Sequence, residues 1–142
     1  MENRSFTATI EVVKSAKEVF NGICKVNGWW GYIEGKTEKL NDVFTYRPND
    51  TWVSFKITEC NDRRIVWHVT DSYLHFQNNK TEWTGTDVVF EVIESGNSTQ
   101  INFTHVGLVP EVECYAACTS GWTKYIKSSL LQLLTTGKGQ PG

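Results

Sequence analysis

The 142-residue chain carries no run of lysine and arginine and no long apolar stretch. Its 14 basic and 16 acidic residues leave a formal charge of −2, so nothing tracks a phosphate backbone and nucleic acid is excluded as a partner. No segment approaches the roughly 20 apolar residues that span a bilayer, which excludes membrane insertion. The first dozen residues also lack the apolar core of a secretion signal, so a cytoplasmic location is expected. Proline is scarce at three residues, and there is no repeat, low-complexity tract or linker; residues 1–142 read as one domain. No glycine-rich loop opens a helix. Gly137-Lys138-Gly139 follows one instead, at the wrong end of the helix dipole for an anion. A serine elbow and a dense carboxylate cluster are missing too.

Cysteine is present but sparse. Cys24, Cys60, Cys114 and Cys118, in a chain without an export signal, read as free thiols. Cys114 and Cys118 stand one helical turn apart, and with His105 they could offer three ligands to zinc. No fourth ligand is in evidence, and a buried cysteine is commonly a small apolar residue, so the reading assigns no metal and no cofactor.

What the chain does have is rings. Aromatic residues make up 13% of it, with six tryptophans. Two readings stay open: a core built of large residues, or a pocket walled by them.

The order of elements follows from periodicity. Residues 5–13 alternate, with Phe6, Ala8, Ile10 and Val12 on one side, as a half-buried strand requires. Ser15 and Glu18 then form a capping box, and Val19, Phe20 and Ile23 follow at helical spacing toward a stop near Asn27-Gly28. Trp29-Trp30 fits a second, short helical turn. Strands are expected at residues 32–38, 42–47, 52–60, 65–72, 82–94 and 99–106, with Asn-, Asp-, Gly- and Pro-rich turns between most of them. Short links of this kind favour antiparallel pairing. Pro110 suits a helix start and Gly137 its end. Between them Tyr115, Cys118, Trp122, Tyr125, Ser129 and Leu133 form a stripe, with Ile126 and Leu130 beside it.

The expected fold is therefore α+β, in the order β-α-α-β-β-β-β-β-β-α: a curved seven-stranded antiparallel sheet around a long C-terminal helix. A sheet wider than one helix leaves room for a cavity between them.

Several segments resemble a known family. They are Phe6-x-Ala8-x-Ile10, Ser15 to Phe20, Trp29-Trp30-Gly31, Glu82-Trp83-x-Gly85-Thr86 and Phe90-Glu91. Phe103-Thr104-His105-x-Gly107-Leu108-x-Pro110, Gly121-Trp122-x-x-Tyr125 and Thr136-Gly137-Lys138-Gly139-x-Pro141 complete the set. In this order they are similar to bacterial SRPBCC (START/Bet v 1-like) proteins of the heat-shock protein 90 ATPase activator homologue group. The resemblance implies the helix-grip fold. Its superfamily includes lipid and hormone carriers, polyketide cyclases and chaperone activators, so it leaves function open.

Candidate residues follow from phase. His105 shares a face with Ile101 and Phe103 and should look into the concave side, as a structural histidine or as an anchor or acid/base group. Glu82 shares a phase with Val88 and Phe90 if no bulge intervenes, and a carboxylate there would be raised by desolvation toward general-acid duty. The expected lining is Phe44, Phe55, Trp67, Phe90 and Phe103 with His105 on the sheet, and Tyr115, Cys118, Trp122 and Tyr125 on the helix. Trp30 and Tyr32 are placed at the entrance. The small residues Ala116, Ala117, Ser120 and Gly121 either bring the helix close or leave volume. Three functions compete: a binding domain for a small apolar or amphipathic molecule, a partner of heat-shock protein 90, and a cyclase- or dehydratase-like enzyme using His105 and Glu82.

Overall fold

The alternation near the start of the chain becomes strand β1 (Phe6–Val12) in the computed structural model, which describes residues 5–142. Ala8, Ile10 and Val12 are buried, while Thr7, Thr9 and Glu11 face solvent. Helix α1 (Ala16–Cys24) starts on the expected capping box: the Glu18 amide donates to Ser15 Oγ at 3.2 Å, and the Ser15 amide to the Glu18 carboxylate at 3.3 Å. It stops three residues short of the expected end, and a one-turn helix α2 (Val26–Trp29) follows.

Six strands complete the sheet: β2 (Ile33–Gly35), β3 (Val43–Tyr46), β4 (Trp52–Cys60), β5 (Arg64–Tyr73), β6 (Asp87–Ser95) and β7 (Ser98–Val106). Their order is β1-β7-β6-β5-β4-β3-β2, antiparallel throughout, with Ile10 opposite Ile101 where the first strand closes on the last. This is the helix-grip sheet expected from the sequence.

Three boundaries differ. β2 ends at Gly35, whose left-handed φ of +110° breaks the extended run expected to reach residue 38. Residues 82–86 are not part of β6; they form turns in which the Thr86 amide donates to the Trp83 carbonyl and Gly85 takes a left-handed φ of +89°. That conformation ends an extended strand. The C-terminal helix begins at Tyr115 rather than near Pro110, because Gly107, at φ +104°, turns the chain out of β7 and further turns precede Tyr115. The helix then runs for 22 residues, as α3 (Tyr115–Lys124), a π-helical segment (Tyr125–Leu130) and α4 (Leu131–Thr136). Gly137, at φ +85°, ends it as expected. Among the described residues no helix is long and apolar enough to cross a membrane.

The concave face is paved with rings. Phe44 stacks on Phe55 at 4.9 Å, and a run of contacts continues through Trp67 and Phe90 to Phe103, which meets Trp122 of α3 at 4.6 Å. Each such ring buries 150–250 Å², worth roughly 4–6 kcal/mol of gross apolar burial, so this row dominates the core. Beyond Gly137 the chain doubles back. The Gln140 amide donates to Ser129 Oγ at 2.7 Å, Ser129 Oγ to the Trp29 carbonyl at 2.6 Å, and the Gly142 amide to the Trp30 carbonyl at 3.0 Å. The tail thereby ties α2, and Trp30 after it, to the C-terminal helix.

Candidate functional site

The middle of the grip is filled, and the open space lies at one end. A cavity of about 480 Å³ sits between the first half of α3 and the loops that join β3 to β4 and follow β5. Its helix wall is Ala117, Cys118, Gly121, Trp122 and Tyr125, which share one face. Small side chains make the space: a β-carbon added to Gly121 would have no neighbour within 4 Å. Trp30, Tyr46, Val53, Leu74 and Trp83 supply further apolar surface, and Pro48 to Thr51 with His75 and Phe76 form the mouth.

Of the residues expected to line a pocket, Trp30, Cys118, Trp122 and Tyr125 border this cavity. Phe44, Phe55, Trp67, Phe90 and Phe103 do not. They are at most 1% exposed and pack against one another, so the expected sheet lining is the core itself. Tyr32 is 60% exposed and Tyr115 half-buried, and both lie away from the cavity.

His105 is fully buried and does not reach the cavity wall. Trp122 Nε1 donates to its Nδ1 at 3.0 Å. An indole can only donate, so Nδ1 is unprotonated and Nε2 carries the hydrogen, directed at Thr86 Oγ1 2.8 Å away. The Thr86 hydroxyl passes the chain on to the Trp83 carbonyl at 2.6 Å. Burial pushes the imidazole down to about 3, which keeps it neutral. Its role is to orient Trp122 and, through an edge contact at 4.6 Å, Trp83.

Glu82 is elsewhere. Its carboxylate accepts from the Glu113 amide at 2.7 Å, the Cys114 amide at 3.2 Å and Gln77 Nε2 at 2.8 Å. Glu113 answers by accepting from the Asn78 and Asn79 amides, which hold its carboxyl below the usual carboxylate range. Together the two carboxylates clamp the loop after β5 to the start of the C-terminal helix, and so fix one rim of the cavity. The expected Glu82/His105 acid–base pair is not assembled. Phase counted back from Val88 fails because the left-handed Gly85 intervenes.

The cysteine reading also needs correction. Cys114 and Cys118 are joined in a disulfide, their Cα atoms 5.5 Å apart across the first turn of α3, within the span such a bond needs. Cys24 and Cys60 are free thiols, and burial pushes Cys24 up to about 12. No cluster of three or more potential metal ligands occurs among the described residues.

Sequence reasoning missed Tyr46, Leu74, Phe76 and Trp83 as cavity residues. Phe76 and Trp83 sit on turns, where no strand or helix period marks a face. The pair Ala117 and Gly121, four apart on one helix face, was the signal available.

No protein-family model matches the chain, and no curated protein matches it. Solved structures do. The Aha1 dimer from Colwellia psychrerythraea is similar with a TM-score of 0.75 and 23% identity, over 98% of this chain and 100% of that one. CalU16 from Micromonospora echinospora reaches 0.68 at 16% identity, over 95% of this chain and 78% of its own. Protein SSP2350 from Staphylococcus saprophyticus reaches 0.68 at 17% identity, over 94% and 93%. At these identities the likeness is one of fold, and the chain has the helix-grip fold.

Proposed function

We propose that this domain takes a small, mainly apolar molecule into the cavity beside α3. The observation that carries the reading is the 480 Å³ space left beside Gly121 and bordered by tryptophan and tyrosine rings. That volume falls within the roughly 300–1,000 Å³ of small-molecule sites, whose walls are apolar and aromatic with a few polar groups. The loop clamped by Glu82 and Glu113 gives the site a preformed rim, which lowers the ordering cost of binding.

Gly121→Leu tests it. Leucine is about 1 kcal/mol better than glycine inside a helix, and here its side chain would enter the cavity. Calorimetric titration with a neutral naphthalene-type probe should show saturable binding to the native chain and at least a tenfold loss in Gly121→Leu, with no drop in the unfolding midpoint. Equal affinity for both chains would sink the reading.

The likeness to the Aha1 dimer over the whole of both chains, with the sequence resemblance to heat-shock protein 90 ATPase activators, supports a second reading: contact with heat-shock protein 90 through an outer surface. It predicts that the native chain and Gly121→Leu stimulate the ATPase of the cognate chaperone equally. No stimulation by either removes it. The cyclase or dehydratase reading finds no support in the geometry of His105 and Glu82.

A further inference from the structure

The lining of the cavity is one-sided in charge. Trp30, Tyr46, Phe76, Trp83, Trp122 and Tyr125 present aromatic rings to it, and among the described residues no lysine or arginine lines it. Among the described residues Asp50 is the one acidic side chain on the wall; it stands at the mouth, 81% exposed, 3.9 Å from His75 Nε2. The two lysines beside this region are engaged. Lys80 donates to the His75 and Gln77 carbonyls at 2.8 and 2.5 Å, and Lys124 lies over the Tyr125 ring at 5.4 Å. Neither is among the residues that line the cavity.

An aromatic ring has a negative face, so several rings around one space favour a cation and disfavour an anion. A carboxylate or phosphate placed here would lose water, find no lysine or arginine on the wall and face Asp50, with His75 at the mouth already turned to that carboxylate. An ammonium would gain both the rings and the carboxylate. With Tyr125 already covered by Lys124 and Trp30 stacked on Tyr46 at 3.9 Å, Phe76 at the mouth, with Trp83 and Trp122 deeper in, are the rings left to receive it.

We infer that the occupant is an organic cation: an amine or quaternary ammonium carried on an apolar body of about two fused rings. This rests on the small-molecule reading above and adds the sign of the ligand's charge. The charge should tighten binding roughly 2- to 30-fold over a neutral molecule of the same shape, the range that cation–π contacts span.

Three probes sharing a 2-naphthylmethyl body separate the possibilities: the trimethylammonium, the alcohol and the carboxylate, that is, the 2-naphthylacetate anion. They are titrated calorimetrically into the full chain and into Asp50→Asn at low ionic strength. The expected order is ammonium, alcohol, carboxylate, with the ammonium about fivefold or more ahead of the alcohol. Asp50→Asn should narrow that ratio about twofold and leave the alcohol unchanged; an unchanged ratio overturns the part assigned to Asp50. Equal binding of ammonium and alcohol, or tightest binding of the carboxylate, overturns the charge inference while the cavity reading stands. Binding of none of the three overturns the cavity reading itself.

Discussion

His105 should make the fold acid-sensitive in a way a single variant can isolate. In the folded chain its Nδ1 is occupied by the Trp122 indole N–H and burial holds its pKa near 3, against 6.5 for a free imidazole. In the unfolded chain it takes a proton near 6.5. Between these values the unfolded state binds the extra proton, so stability is full above 6.5 and is lost as pH falls toward 3. The slope approaches about 1.4 kcal/mol per pH unit, which gives about 2 kcal/mol between pH 6.5 and about 4.5. Other groups titrate in the same range, and His105→Asn serves as the reference that subtracts them. Asparagine keeps an acceptor near Trp122 Nε1 but does not titrate. Urea unfolding of both chains at several pH values gives the stability gap between them. That gap should shrink by about 2 kcal/mol across this window as the native chain loses its advantage. A gap independent of pH would mean that the folded imidazole takes up its proton freely, and the buried, Trp122-bound histidine described here would be wrong.

Three further outcomes are expected. Trp67→Ala removes the centre of the ring row and should cost roughly 3–5 kcal/mol in chemical unfolding. Glu82→Gln weakens the charged acceptor of the Glu113 and Cys114 amides, and calorimetric melting should report a loss of about 1 kcal/mol. Under denaturing, non-reducing conditions a thiol titration should count two groups, Cys24 and Cys60, and four after reduction. Reducing the short Cys114–Cys118 loop should lower stability by about 2 kcal/mol on the chain-entropy relation.

Periodicity read the sheet well and the site poorly, for the same reason. β4 alternates through Val53, Phe55 and Ile57, and the observed strand Trp52–Cys60 has the expected ends. A strand with one buried face writes that face into its sequence at every second residue. Phase, however, says only that a residue points inward. It does not say whether another side chain arrives to meet it. Phe55 and Trp67 point inward and are met by Phe44, Trp29 and Trp30, so they became core where lining was expected. Asn49, His75 and Phe76 border the cavity from loops, where no period exists to be read. The spacing of Cys114 and Cys118 alone does not choose between two thiols and a disulfide; the turn at the start of α3, which holds their Cα atoms 5.5 Å apart, does.

The π-helical segment explains how one helix can serve both the filled core and the cavity. The apolar residues it buries, Cys118, Trp122, Ile126, Leu130 and Leu134, recur every fourth position. An α-helix turns once per 3.6 residues, so each step of four overshoots by about 40°, and the four steps accumulate about 160°. In a regular helix Leu134 would point almost opposite to Cys118. The π-helical segment (Tyr125–Leu130) reaches one residue further for its hydrogen bonds, and one absorbed residue takes back about 100°. The remaining offset is smaller than the width of an ordinary apolar helix face. Cys118 and Trp122, before the segment, can therefore border the cavity while Ile126, Leu130 and Leu134, within and after it, seal the core. The stripe expected from the sequence, Tyr115 to Leu133, keeps the mixed three- and four-residue spacing of a straight helix, which is why it places Leu133 rather than Leu134 on the buried face.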